Sequence, residues 1–199
     1  MNDIKRTKFN ICLLGESKVG KTCMTSVYIG QPFDENTLTT LGLENIADKF
    51  EIEGKVYTFK IFDTAGQERY KSIAQSTIQI SDGFLIVFDV NEKSTFESVI
   101  NWINYIDERV DIAEKVLILV GNKIDIEERE VTREEAEYFA KDKNMKYFET
   151  SAKTGAGIKE VFQELYKDVY NKCKSMSKKG EDSKPILKKN NNKKGKAWC

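Results

Sequence analysis

Near the start of the chain, Gly15-Glu16-Ser17-Lys18-Val19-Gly20-Lys21-Thr22 places two glycines, a lysine and a hydroxyl at the spacing G-x-x-x-x-G-K-[ST]. Such glycines let backbone N–H groups curl around phosphate oxygens, and a helix starting there adds the positive end of its dipole. Lys21 can reach the outer phosphates and stabilise charge that develops there, and the Thr22 hydroxyl can ligate magnesium. The positions expected to line a bound phosphate are Gly15, Ser17, Lys18, Val19, Gly20, Lys21, Thr22 and Cys23. An apolar strand-like run (Phe9, Ile11, Cys12, Leu13, Leu14) precedes the loop and a helix-like run follows it. Taken alone, the segment also reads as a glycine turn between a strand and a helix.

Three further segments could act with this loop. Asp63-Thr64-Ala65-Gly66-Gln67 follows a strand that ends at Phe62. Asp63 is suited to hold magnesium through water, and Gly66 permits a close backbone approach to a terminal phosphate. Gln67 carries both a donor and an acceptor, so it can orient an attacking water. Asn122-Lys123-Ile124-Asp125 leaves a later strand. A carboxylate accepts two hydrogen bonds at once, and guanine presents two adjacent donors on one edge where adenine does not. Asp125 would therefore select guanine, and Lys123 can lay its methylenes along the base. Ser151, Ala152 and Lys153 can complete the pocket from their backbone. Each of these short segments, read alone, is also an ordinary polar turn.

Elements that could position these residues are legible in the hydrophobic pattern. Residues 8–14 read as a strand and 20–29 as a helix, and 43–52 and 55–62 as a hairpin turning at Glu53-Gly54. The runs Phe84–Phe88 and Val116–Val120 read as strands buried on both faces. Phe96, Val99, Ile100, Ile103 and Ile106 fall at helical spacing, with Trp102 in the same helix as a packing residue. A helix over 132–142, a strand over 145–149 and an amphipathic helix carrying Ile158, Val161, Phe162, Leu165 and Val169 complete the alternation. The pattern predicts an α/β fold whose mostly parallel, doubly wound sheet has helices on both faces and whose ligand lies beyond the strands' carboxyl ends.

Composition divides the chain. Formal charge is zero, yet residues 172–199 hold ten lysines against Glu181 and Asp182, about +8, so the preceding part carries about −8. An acidic domain over 1–172 and a disordered lysine-rich tail over 173–199 follow, the tail suited to an anionic surface. Cys12, Cys23, Cys173 and Cys199 show no zinc-like spacing. With no secretory leader and no apolar run near 18 residues, a cytoplasmic location is expected.

The four motifs, in this order and spacing, resemble the Ras superfamily of small GTPases, and Gln67-Glu68-Arg69-Tyr70 with Asn91–Phe96 and Trp102 look most like its Rab branch. The resemblance implies a P-loop NTPase G domain with a six-stranded sheet that binds GTP or GDP with Mg2+. By position, Thr40 matches the threonine that closes on magnesium and the terminal phosphate, and Phe33 the aromatic that packs edge-on against guanine. Thr22 and Thr40 would be direct magnesium ligands and Asp63 an indirect one. Gln67 and Lys21 would be catalytic. Residues 34–46 and 64–80 would be the two switches, ordered by GTP and read by effectors.

Several positions depart from that pattern. Lys18 replaces a glycine or small residue, Leu41–Asn45 replaces Ile-Gly-Val-Asp-Phe, Phe62 replaces a tryptophan, and Thr77-Ile78 stands where paired tyrosines are usual. These changes alter the surface that meets effectors. Cys199, at the last position, resembles a singly prenylatable tail. The resemblance therefore implies a monomeric, slowly hydrolysing switch in vesicle or membrane trafficking. It would sit peripherally on the cytosolic face of endomembranes or the plasma membrane. Its partners would be an exchange factor, an activating protein, effectors and the prenylation and escort machinery, and not nucleic acid. Alternatives are a GTP-locked binding module with negligible hydrolysis, a non-Rab signalling switch of the same superfamily, or a P-loop ATPase or nucleoside kinase.

Overall fold

Alternating faces explain the sheet. In β1 (Lys8–Leu14), Phe9, Ile11 and Leu13 enter one core while Cys12 and Leu14 enter the other. In β4 (Gly83–Asp89), Leu85 and Val87 face the first core, and Phe84, Ile86 and Phe88 the second. Side chains alternate across a strand, so a strand covered on both sides must be apolar throughout. That is why these two segments read as continuous hydrophobic runs.

A computed structural model describes residues 6–35, 43–64 and 71–182. The elements already introduced are joined by β2 (Leu43–Ile52), β3 (Lys55–Thr64), β5 (Val116–Asn122) and β6 (Lys146–Glu149) in a six-stranded sheet of order β2-β3-β1-β4-β5-β6. Only the β2–β3 pair is antiparallel. Its hairpin pairs Ile52 with Lys55 across Glu53 and Gly54, both at positive φ (52° and 75°), the geometry of a tight two-residue turn.

Helices cover both faces. α1 (Lys21–Tyr28) and α6 (Ile158–Asp182) close the first core, where Tyr166 stacks on Phe59 with ring centroids 3.9 Å apart. The second core takes Ile78 from α2 (Lys71–Ile80), Phe96 from α3 (Lys93–Glu97), four residues of α4 (Val99–Asp107), and Ala136 and Ala140 from α5 (Arg133–Asp142). α5 starts where Thr132 Oγ1 accepts the Glu135 N–H at 3.1 Å, one half of a capping box.

Two expectations need correction. The single helix expected around Phe96–Ile106 is divided by a turn at Ser98, where the backbone stays near helical (φ −72°, ψ −13°) and both the N–H and the hydroxyl donate to the Ser94 carbonyl, at 3.1 and 3.0 Å. The last helix does not stop near residue 173 but runs to Asp182. No proline interrupts Lys172–Asp182, and a packed helix propagates easily into residues such as lysine and methionine. Lys174 is also held, with its Nζ 2.6 Å from Glu53 in the hairpin turn, and Tyr170 donates to the same carboxylate at 2.8 Å. Among the described residues, no helix is long and apolar enough to cross a membrane.

The five parallel strands deliver their carboxyl ends to one edge of the sheet. Register sets Leu13 beside Asp63 and Asp89 beside Asn122. The sequence motifs therefore meet there.

Candidate functional site: a phosphate loop joined to a base loop

The phosphate loop leaves β1 at Gly15 and enters α1 at Lys21. Gly15 takes φ 143°, and a Cβ there would lie 2.1 Å from the Val87 carbonyl oxygen. Gly20 caps α1 at φ 98° with no side chain bonded to the helix start, so the first N–H groups of α1 face the loop's concavity. Lys18 adopts φ 67°, the left-handed region, where a side chain is strained by about 1 kcal/mol or more.

Lys21 is buried, and its Nζ donates to the carbonyls of Gly15 at 2.9 Å and Glu16 at 2.7 Å. Burial lowers its pKa to about 8, and the nearby Asp63 and Glu16 carboxylates only partly offset that. An ammonium held among carbonyls at a helix start is a site prepared for an anion. Thr22 Oγ1 donates to Asp63 Oδ2 at 2.5 Å. A hydroxyl and a carboxylate side by side at the mouth of a phosphate loop are the hard oxygen donors that magnesium takes, with phosphate and water completing its shell. No group of three His, Cys, Asp or Glu side chains forms a metal cage among the described residues.

The base loop is built around buried Asn122. Its Nδ2 donates to the Val19 carbonyl at 2.8 Å. Its Oδ1 accepts from Thr150 Oγ1 at 3.0 Å and from the Ala152 N–H at 3.3 Å. One amide thus ties the phosphate loop, the end of β5 and the segment after β6. Ser151 Oγ donates to Asp125 Oδ1 at 2.5 Å and accepts from the Thr154 N–H at 3.1 Å. This orients an otherwise exposed carboxylate. Lys123, at φ 68°, directs its ammonium to Asp89 Oδ2 at 2.5 Å. Phe33 is half-buried against the first core, and Lys153 pairs with Glu35 at 3.3 Å.

The structure therefore brings together Gly15, Ser17, Lys18, Val19, Gly20, Lys21, Thr22 and Asp63 at one end, and Asn122, Lys123, Asp125, Ser151 and Ala152 at the other. Cys23 packs partly against the first core, and Cys12 is a buried thiol whose pKa is pushed up by desolvation. Thr40, Gly66, Gln67 and Cys199 lie outside the described residues. Phe62, Thr77 and Ile78 are buried.

Several contributors had no signal in the motifs. Asp89 ends β4 beside Asn122 and holds Lys123. Asn91 Nδ2 donates to the Lys123 carbonyl at 3.0 Å. Trp102, read as packing alone, also donates its indole N–H to Glu16 Oε1 at 3.2 Å.

A phosphate loop after the first strand, a paired hydroxyl and carboxylate beside it, and an oriented carboxylate on the base side define a P-loop nucleotide-binding G domain. A model of the Ras family matches residues 10–171. Ras-related protein Rab-13 of Rattus norvegicus is 36% identical over 193 residues, covering 93% of this chain and 94% of that protein. Ras-related protein Rab-8B of Homo sapiens is 34% identical, covering 88% and 83%. Ras-related protein Rab-9A of Canis lupus familiaris is 35% identical, covering 83% and 84%. The chain belongs to the Ras family, in its Rab branch. It is accordingly a GTP hydrolase of the small GTPase class that binds GTP or GDP with Mg2+.

Proposed function

We propose that this protein is a Rab-like molecular switch of vesicle and membrane trafficking that hydrolyses GTP slowly when alone. The observation that carries the nucleotide reading is the Ser151–Asp125 hydrogen bond at 2.5 Å. It orients a carboxylate, a group that can accept two adjacent guanine donors together, and Asn122 ties that loop to the phosphate loop. An adenine would leave Asp125 facing an edge without paired donors, which is how such a site rejects an analogue.

In this reading Lys21 and the N–H groups at the start of α1 hold the phosphates and stabilise the charge that develops on transfer. Thr22 and Thr40 would hold magnesium directly, and Asp63 would do so through water. The ion, when bound, neutralises phosphate charge. Gly66 reads the terminal phosphate and Gln67 orients the attacking water. Phe33 packs against the base, with Lys123 along its face and the backbone of Ser151, Ala152 and Lys153 closing the pocket.

Among the described residues no arginine stands beside the phosphate loop, and in this reading an activating protein supplies one, worth about 10³–10⁵ in rate. The chain works as a monomer. An exchange factor reloads it, and effectors read residues 34–46 and 64–80. Prenylation and escort proteins process Cys199. The basic tail then places the protein peripherally on the cytosolic face of endomembranes or the plasma membrane, since one lipid chain needs a second, electrostatic signal.

Calorimetric titration of nucleotide-free protein tests the base reading. GDP should bind at least about 10²-fold more tightly than ADP, with IDP, which lacks the exocyclic amine, between them. Equal affinity for ADP and GDP overturns it. Single-turnover GTP hydrolysis, with and without cell extract, separates the slow hydrolase from a GTP-locked binding module.

A further inference from the structure

Glu16 brings a negative charge into a loop that must wrap phosphates. Glu16 is the second residue of that loop, and its backbone and side chain are held from opposite sides. Its carbonyl accepts from Lys21 Nζ at 2.7 Å. Its carboxylate accepts from the indole N–H of Trp102 at 3.2 Å, a contact spanning 86 residues of sequence.

Trp102 is itself well fixed. It is 8% exposed and packs in the second core with Val99, Ile103 and Ile106 of α4. Tyr105 meets its ring edge-on, with centroids 6.2 Å apart. An indole N–H can only donate, and one this buried requires an acceptor. Glu16 supplies it, and in return its charge is kept on the α4 side of the loop. Without that bond, the carboxylate would be free to swing toward Lys21, whose ammonium already feels it, or to face the incoming phosphates. Either outcome weakens anion binding, by neutralising the cation or by repelling the ligand.

We propose that Trp102 is a positioning residue of the nucleotide site. Its indole N–H holds the Glu16 carboxylate against α4 and away from the phosphate mouth, and so lengthens nucleotide residence. This rests on the reading that Gly15–Thr22 holds the phosphates.

The test is the release rate of a fluorescent N-methylanthraniloyl-GDP, chased with excess GDP, in the full-length protein with Mg2+ present. Trp102→Phe keeps the aromatic packing and loses only the donor. It should release the nucleotide about tenfold faster, with the difference shrinking at high salt. Glu16→Gln removes the charge and retains an acceptor, and should release it within about twofold of the unsubstituted protein. The double variant Trp102→Phe/Glu16→Gln should return to that same range, because no carboxylate is left to misplace.

A double variant as fast as Trp102→Phe would mean that the indole acts through packing and would overturn the proposal. So would an unchanged rate in Trp102→Phe. Trp198→Phe leaves Trp102 as the single tryptophan. Adding Glu16→Ala in that background should alter the indole emission even if Trp102→Phe folds poorly, and an unaltered spectrum refutes the bond. Lys21→Ala separates this proposal from its premise. If that variant holds the labelled GDP as tightly as the unsubstituted protein, the phosphate-site reading itself fails.

Discussion

The side-chain amide of Asn122 donates to the backbone carbonyl of Val19 across 2.8 Å, bridging 103 residues of sequence and the two halves of the nucleotide site. The base cannot be read in one place and the phosphates gripped in another unless the two loops keep a fixed separation. This bond sets it. A Cβ at Gly20 would lie 2.4 Å from the same amide nitrogen, so that glycine lets the loops approach.

Asn122→Ala should therefore damage both halves together. It strands the Val19 carbonyl and removes the acceptor used by Thr150 and Ala152. Loss of about 2–3 kcal/mol in stability is expected, with GDP release at least tenfold faster. Thermal unfolding and a nucleotide-release trace measure the two effects, and an intact release rate would separate Asn122 from the site.

Lys18 holds a backbone conformation that suits glycine better. Lys18→Gly should raise the unfolding midpoint of the GDP-bound protein by about 2–4 °C, corresponding to about 1 kcal/mol at this size. A lower midpoint would mean that the lysine side chain contributes more than its backbone costs.

Four tyrosines resist ionisation in the folded protein. Burial is the leading cause at Tyr28, Tyr147, Tyr166 and Tyr170, and nearby carboxylates add to it: Asp48 at Tyr28 and Tyr166, Glu149 at Tyr147 and Glu53 at Tyr170. Their folded pKa values lie above the unfolded value near 10, so the unfolded chain loses these protons first. Stability is then intact below pH 10 and falls as pH rises beyond it. Urea unfolding between pH 8 and 11 should show that fall. Tyr28→Phe should reduce its slope and, by losing the 2.6 Å bond to Asp48, cost about 1 kcal/mol near neutral pH. A slope unchanged by the substitution contradicts the assignment.

Gln67 is expected to orient the hydrolytic water. Gln67→Leu should slow single-turnover GTP hydrolysis at least about tenfold while GTP binding changes less than twofold. Hydrolysis at the unsubstituted rate would remove Gln67 from the reaction.

Cys199→Ser tests the tail. A tagged copy should lose membrane association and become cytosolic, whereas undiminished pelleting with membranes would refute lipid anchoring at this residue.

Local chemistry decided what could be read before the fold was known. The hairpin turn at Glu53-Gly54 and the strands Phe84–Phe88 and Val116–Val120 announce themselves, because turn residues and double-faced burial leave a contiguous imprint. The turn at Ser98, where the N–H and the hydroxyl both bond the Ser94 carbonyl, leaves the apolar spacing from Phe96 to Ile106 unchanged, so periodicity does not show it. The bonds of Trp102 to Glu16 and of Lys123 to Asp89 join residues that only the folded sheet brings near. The anchoring of α6 at Tyr170 and Lys174 comes from Glu53, in a turn far away in sequence.

The run of α6 to Asp182 makes it a spacer. At about 1.5 Å per residue, the stretch from Lys174 to Asp182 projects roughly 12 Å past the clamp. Its root is pinned to the outer hairpin by Lys174 and Tyr170. The described helix therefore ends at a point fixed relative to that hairpin, well clear of the first core's cover.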